Sequence, residues 1–118
     1  MELAQSRVED VSVVAVSGRI DHANADAFKA GLEPFVKACR AGGDRLLLDL
    51  AGLQYVSSAG LRVLMLAARE VRQNQGAIAL CELQPVVKEI FEISRFNVVF
   101  RIFPDRRAAL DALAAAAG

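Results

Sequence analysis

The sequence predicts an α/β fold: a single mixed, mostly parallel sheet of about five strands with about four helices. Apolar runs of strand length alternate with amphipathic stretches of helix length, which is typical of parallel sheets. The first two runs are separated by a short polar turn, so that pair should be antiparallel. Hydrophobic residues make up 54% of the 118 residues, enough for a core and too many for a disordered chain. We therefore expect one domain over residues 1–118.

The N-terminal part of the chain predicts a strand hairpin and a helix. Leu3 to Val8 and Val11 to Val16 alternate as strands do, with a polar turn between them. Asn24 is expected to cap a helix that runs to about Arg40. Because proline cannot donate the helical hydrogen bond, Pro34 should kink or break this helix.

The middle of the chain predicts a buried strand followed by a long helix. Arg45 to Leu50 is nearly continuously apolar, which indicates a strand buried on both faces. The helix is expected from Leu61 to about Asn74, with apolar residues at helical spacing on one stripe. Ser57 is a suitable N-cap for it.

The C-terminal part repeats the alternation. Ala77 to Cys81 is predicted as a short buried strand, and Pro85 stands at a position that suits the start of a brief helix. Val98 to Phe103 is predicted as the last strand. An alanine-rich helix should begin after Asp105.

This order of elements has a geometric consequence for the polar residues. Right-handed crossovers would make the second and third strands parallel neighbours, so both end at the same edge of the sheet. Binding in such sheets usually occurs at that edge. Asp21, His22 and Asn24 should therefore lie beside Ser57 and Ser58 in one surface patch.

Ser57 and Ser58 place hydroxyl groups where a buried strand passes into a helix. The unpaired N–H groups of a first helical turn accommodate anions, so a phosphate group would fit there, either bound or covalently attached. The alternative is purely structural: Ser57 only caps the helix, and Gly60 only lets the helix pack closely on a strand.

Composition excludes several classes of function. Fourteen basic and fourteen acidic residues balance, which argues against nucleic acid or an anionic membrane as the main partner. No apolar run reaches the length of a membrane span and no signal peptide is visible, so we expect a cytoplasmic protein without membrane insertion. Cys39 and Cys81 read as reduced core residues, and His22 lacks a set of metal ligands. We expect no cofactor, no metal and no enzyme activity.

Four segments, in this order and spacing, resemble the STAS domain, and most closely the bacterial anti-sigma factor antagonists. The resemblance covers nearly the whole chain and predicts the STAS fold. Each segment alone would be a weak signal, but their shared order is specific. The segments are Gly18-Arg19-Ile20-Asp21, Leu48-Asp49-Leu50, Tyr55-Val56-Ser57-Ser58-Ala59-Gly60-Leu61 and Phe91-Glu92-Ile93-Ser94.

The resemblance implies partner switching. In such antagonists the unphosphorylated protein binds an anti-sigma factor, typically a serine kinase with a histidine-kinase-like ATPase fold, and so frees a sigma factor or other target. The kinase phosphorylates a serine at the start of the second helix, and this phosphorylation dissociates the complex. A metal-dependent serine phosphatase reverses the modification. The serine that matches by its distance from the glycine is Ser58.

Four residues depart from the family pattern. Ala59 stands where many members have serine or threonine. Ser57 replaces a frequent aspartate, and both Arg62 and Arg95 replace frequent glycines. These changes leave the phosphoacceptor in place but bear on which partner is recognised. The residues expected to bind the partner are Asp21, His22, Asn24, Ser57, Ser58, Gly60, Leu61 and Arg62.

Two other classes of function stay open. One is a constitutive, non-phosphorylated STAS subunit of a larger assembly, such as a lipid-transport ATPase, which the replacement of aspartate by Ser57 would fit. The other is a nucleotide-binding or enzymatic domain that uses the start of the Ser58 helix as a phosphate site. It has less support because the sequence offers no glycine-rich loop with a lysine.

Overall fold

The computed structural model describes residues 1–116; residues 117 and 118, which the expected single domain includes, lie outside the described part. None of the described helices is long and apolar enough to cross a membrane. The strands are β1 (Glu2–Val8), β2 (Val11–Ile20), β3 (Arg45–Val56), β4 (Ile78–Cys81) and β5 (Ile102–Phe103). The helices are α1 (Ala25–Ala38), α2 (Ser58–Gln73), α3 (Pro85–Ile93) and α4 (Arg106–Ala116).

The strands form one mixed sheet in the order β1-β2-β3-β4-β5. β1 pairs with β2 in the antiparallel sense, and the remaining pairs are parallel. The predicted fold class is therefore confirmed. β2 and β3 are parallel neighbours, as the crossover argument required.

Helices cover both faces of the sheet. Residues of α1, α2 and α3 share one apolar cluster with Leu46, Leu48 and Leu50. On the opposite face Leu47 packs in a second cluster that includes residues of α4. This explains why the β3 sequence is continuously apolar, because successive side chains of one strand enter two different cores.

Three strands differ in length from the sequence-based expectation by four residues or more. β2 continues to Ile20 instead of ending at Val16. β3 continues to Val56 instead of ending at Leu50, and its extension is parallel to the end of β2. The last strand, expected over 98–103, is limited to β5. The preceding segment forms a short 3-10 helix, Phe96–Val98, because the Phe96 and Phe100 rings stack with centroids 6.3 Å apart and turn the chain toward the core.

Helix α1 is continuous through Pro34, so of the expected kink or break the break is absent. A proline in a helix leaves the carbonyl four residues earlier without its donor. That residue is Ala30, and both Ala30 and Pro34 are exposed. Water can therefore satisfy the free carbonyl, which lowers the cost of the proline.

The start of α4 is fastened to the sheet by a buried carboxylate. Asp49, on β3, is only 8% exposed. Its Oδ2 accepts hydrogen bonds from Arg106 Nε at 3.1 Å and Nη2 at 2.6 Å. Its Oδ1 accepts from the Ala51 N–H at 3.0 Å. The paired and hydrogen-bonded arrangement offsets the cost of burying the charge.

Cys39 and Cys81 are free and buried. Cys81 ends β4, while Cys39 follows the last residue of α1 and donates through Sγ to the Ala77 carbonyl at 3.1 Å. Burial is the main cause that raises the pKa of the Cys81 thiol, to about 12. It also raises the pKa of Cys39. Both thiols are therefore protonated near neutral pH and serve as core residues.

Candidate functional site

The ends of β2 and β3 meet at one edge of the sheet. The Ser57 N–H donates to the Ile20 carbonyl at 2.8 Å, which joins the end of β2 to the start of α2. Residues 21–24 and 57–62 follow these two strands, and we call them the β2–β3 edge. The predicted neighbours Asp21 and Ser58 thus belong to one continuous part of the surface, where both are exposed.

The two adjacent serines have different environments. Ser57 is 5% exposed, and its Oγ accepts a hydrogen bond from the Gly60 N–H at 3.2 Å. This is the N-cap of α2. Ser58 is the first residue of α2 and is exposed, and its hydroxyl has no hydrogen-bond partner among residues 1–116. The Ser57 hydroxyl therefore supports the helix, whereas the Ser58 hydroxyl is accessible.

Gly60 allows α2 to approach the strands closely. A Cβ atom at this position would lie 2.7 Å from Ile20 Cγ2 and 2.7 Å from Val56 Cγ2. Both neighbours are core residues, so neither can move aside freely. Leu61 follows in the same core. The first turn of α2 therefore has a fixed position relative to the ends of both strands.

The loop after β2 is held by its own side chains. Asp21 Oδ1 accepts hydrogen bonds from the N–H groups of Ala23 at 3.0 Å and Asn24 at 3.1 Å. In return, Asn24 Oδ1 accepts from the Asp21 N–H at 2.9 Å. This reciprocal pattern resembles a capping box. Asn24 occupies the N-cap position of α1 but makes no side-chain cap bond to it. Its side chain orders the loop instead.

Sequence reasoning missed the contact between Arg19 and Tyr55. The Arg19 guanidinium stands 4.7 Å from the centroid of the Tyr55 ring, which is a cation–π distance. The two residues pair across β2 and β3 only because the register shifts between Gly18 and Arg19. Gly18 has a positive φ of 89°. A glycine inside a strand pattern is a known sign of a bulge and was the available signal.

The predicted site residues therefore fall into three groups by burial. All belong to the β2–β3 edge, but burial separates those that reach the surface from those that do not. Asn24 is half-buried. The exposed residues are Asp21, His22, Ser58 and Arg62, and the buried ones are Ser57, Gly60 and Leu61.

The electrostatics of the first turn of α2 suit an added negative charge. The first turn of α2 contains no acidic residue, and Arg62 forms no ion pair among residues 1–116. The positive end of the helix dipole lies at the same place. Within the described residues, no three His, Cys, Asp or Glu side chains are grouped as a metal ion would require. The reactive group at this site is thus the accessible Ser58 hydroxyl, which lies where an anion is tolerated.

Comparison with known proteins gives concordant matches. The family model of the STAS domain matches residues 3–109. BtrV of Bordetella bronchiseptica, named as a candidate anti-sigma factor antagonist, is 41% identical over 109 residues, covering 92% of this chain and 91% of BtrV.

Two solved structures share the fold. An anti-sigma factor antagonist from Mycobacterium paratuberculosis superposes with a TM-score of 0.84 at 22% identity, covering 95% of this chain and 92% of that one. The Bacillus cell fate determinant SpoIIAA in its phosphorylated form gives a TM-score of 0.67 at 16% identity, covering 95% of this chain and 99% of that one. Both resemblances concern the fold alone.

Replacing Gly60 by alanine should destabilise the protein, although alanine normally favours a helix. The added methyl group would overlap Ile20 and Val56, and overpacking costs about 1–3 kcal/mol. Urea denaturation of Gly60→Ala measures the loss of unfolding free energy. Ser58→Ala, two residues away and exposed, is the matched control and should change it by less than about 0.5 kcal/mol. An equally stable Gly60→Ala protein would show that the close approach is not a constraint.

Proposed function

This chain belongs to the STAS domain family, and we propose that it is an anti-sigma factor antagonist that works by partner switching. Unphosphorylated, it binds an anti-sigma factor that is also a serine kinase with a histidine-kinase-like ATPase fold, and frees that factor's target. Phosphorylation of Ser58 dissociates the complex, and a metal-dependent serine phosphatase removes the phosphate and restores the binding form. In this proposal residues 1–118 act in the cytoplasm as one binding domain and not as an enzyme.

The observation that carries the proposal is the contrast between Ser57 and Ser58. A kinase needs a hydroxyl group that can enter its active site. Ser58 is exposed and its hydroxyl makes no hydrogen bond within the described residues, while the buried Ser57 hydroxyl is engaged with the Gly60 N–H. This contrast supports Ser58 as the phosphoacceptor and argues against modification of Ser57.

A phosphate at Ser58 would change affinity more than stability. It adds about −1.5 to −2 charges at neutral pH. The start of α2 has no acidic residue to repel this charge, and the helix dipole favours it. A partner docked over Ser58 would instead have to desolvate a dianion, which costs several kcal/mol unless it is paired. One covalent event can thus exchange partners while the domain stays folded.

The relatives are consistent with this proposal. BtrV, named as a candidate anti-sigma factor antagonist, aligns over most of both chains. SpoIIAA shares the fold and has been solved in a phosphorylated form. In that protein, therefore, the fold accommodates a phosphate group.

We assign the partner contacts to the exposed residues of the β2–β3 edge. Asp21, His22, Ser58 and Arg62 present their side chains to solvent. Asn24 orders the loop that carries Asp21, through the reciprocal hydrogen bonds. The buried Ser57, Gly60 and Leu61 belong to the same site as supports, because they fix the direction in which α2 leaves the sheet.

The second candidate is a constitutive, non-phosphorylated subunit of a larger assembly, such as a lipid-transport ATPase. It is favoured by one observation, the presence of Ser57 where many antagonists have aspartate. In that case the β2–β3 edge would be a permanent interface. Treatment with an authentic kinase separates the two candidates, since only the antagonist would be modified.

Incubation with the cognate kinase and ATP should add one phosphate, observed by intact mass. Ser58→Ala should abolish the addition because the accessible hydroxyl is gone. Ser57→Ala should keep it, although loss of the cap lowers stability by about 1 kcal/mol. A phosphate mapped to Ser57 would contradict the assignment of the acceptor. A chain left unmodified by an authentic kinase would favour the constitutive subunit.

Asp21→Asn should weaken binding of the kinase and reduce its salt dependence, with little change in the midpoint of denaturation. Asparagine keeps an Oδ1 that can accept from Ala23 and Asn24, so the variant removes charge without removing the loop hydrogen bonds. Asp111→Asn, an exposed position on α4, is the matched control. Unchanged binding by Asp21→Asn would place the partner surface elsewhere.

A further inference from the structure

Arg62 is an exposed cation on the same face of α2 as Ser58. Residues four apart on a helix are neighbours, and Arg62 follows Ser58 by four positions. Elsewhere this spacing joins opposite charges: Glu33 with Lys37 at 3.0 Å on α1, and Arg107 with Asp111 at 3.7 Å on α4. Arg62 has no such acidic neighbour among residues 1–116. Four positions before Arg62, the side chain is that of Ser58, which carries a neutral hydroxyl group.

We propose that Arg62 is a switchable cation. When Ser58 is unmodified, Arg62 pairs with an acidic group of the partner. When Ser58 is phosphorylated, Arg62 pairs with the phosphate on its own chain. The inference rests on the proposed function for the identity of the modified serine. It adds a specific role for a residue that many antagonists replace with glycine.

The geometry favours this pairing without a change of the backbone. A negative group placed four residues before a cation is the better orientation on a helix. The guanidinium group of arginine matches phosphate with two parallel hydrogen bonds. Arg19, the other arginine of this region, already stands over the Tyr55 ring. Arg62 is therefore the cation best placed to receive the phosphate.

The pairing gives phosphorylation a second effect on the partner. The phosphate introduces a dianion into the interface, and it also withdraws the cation that would have bound an acidic side chain of the partner. Pairing with one cation neutralises only part of the phosphate charge of about −1.5 to −2, so the remaining negative charge and the loss of the free cation both weaken binding. A chain with glycine at this position would have only the first.

The direct test uses the full chain with phosphoserine incorporated at position 58 during translation, so that no kinase is needed. A ³¹P NMR titration reports the second pKa of the phosphate, which lies near 6 when unperturbed. A neighbouring cation stabilises the dianion and lowers this pKa. Arg62→Gln should therefore raise it, by about 0.2–0.4 unit at low salt if the pair has ordinary helical strength.

The matched control is Arg69→Gln, an exposed arginine on the same helix, which lies about 16 Å from Ser58 along the helix axis. It should leave the phosphate pKa unchanged because the charge is distant. Equal pKa values in the parent and Arg62→Gln proteins would overturn the proposal. A rise of the same size in both variants would also overturn it, because the effect would then reflect net charge only.

Binding to the kinase supplies the second readout. Arg62→Gln should weaken binding of the unphosphorylated chain severalfold and leave the residual binding of the phosphorylated chain unchanged, so that the penalty of phosphorylation shrinks by the same factor. Equal weakening in both states would overturn the switchable role. Failure of the kinase to modify Ser58 would count against the proposed function, whereas the titration would still decide whether Arg62 pairs with the phosphate.

Discussion

The close contact between the start of α2 and the ends of β2 and β3 determines the rest of the site. The Ser57 N–H donates to the Ile20 carbonyl at 2.8 Å, and Gly60 lies against Ile20 and Val56 where no side chain would fit. A helix held this closely cannot tilt without disturbing the core. The loop after β2 and the first turn of α2 therefore present one fixed surface, and the exposed residues on it keep their relative positions.

Because of this contact, the two neighbouring serines have different roles. Ser57 faces inward and caps the helix, so its hydroxyl contributes to stability. Ser58 faces solvent, so its hydroxyl is free for chemistry. In the function that we propose, the separation matters because the group that is modified differs from the group that holds the helix. Modification can then change the surface and leave the cap intact.

Features that depend on local pattern were predicted well from the sequence, and features that depend on distant contacts were not. The apolar run of β3, the hairpin and the N-cap at Ser57 follow from spacing and residue type. The last strand was predicted too long because the half-buried Phe96 stacks on Phe100, which is buried in the core, and this contact bends the segment. The Arg106–Asp49 pair joins residues 57 positions apart, and no local rule reveals such a pair.

The candidate site was likewise predictable only in part from the sequence. The strand order that the sequence predicts puts Asp21 and Ser58 at one edge, and in the structure the segments that carry them lie side by side. The difference in exposure between Ser57 and Ser58 could not be predicted, because it depends on how closely α2 packs. The pairing of Arg19 with Tyr55 depends on a register shift that a single glycine only hints at.

The most direct test of the central claim compares affinity and stability in one variant. Ser58→Glu places a negative charge at the exposed start of α2, and Ser58→Ala is the neutral control. Binding of the anti-sigma kinase to Ser58→Glu, measured by calorimetry, should weaken by more than tenfold, or about 1.4 kcal/mol, with the unfolding midpoint unchanged and the control binding normally. A loss of stability that matches the loss of affinity, or undiminished binding, would contradict the account.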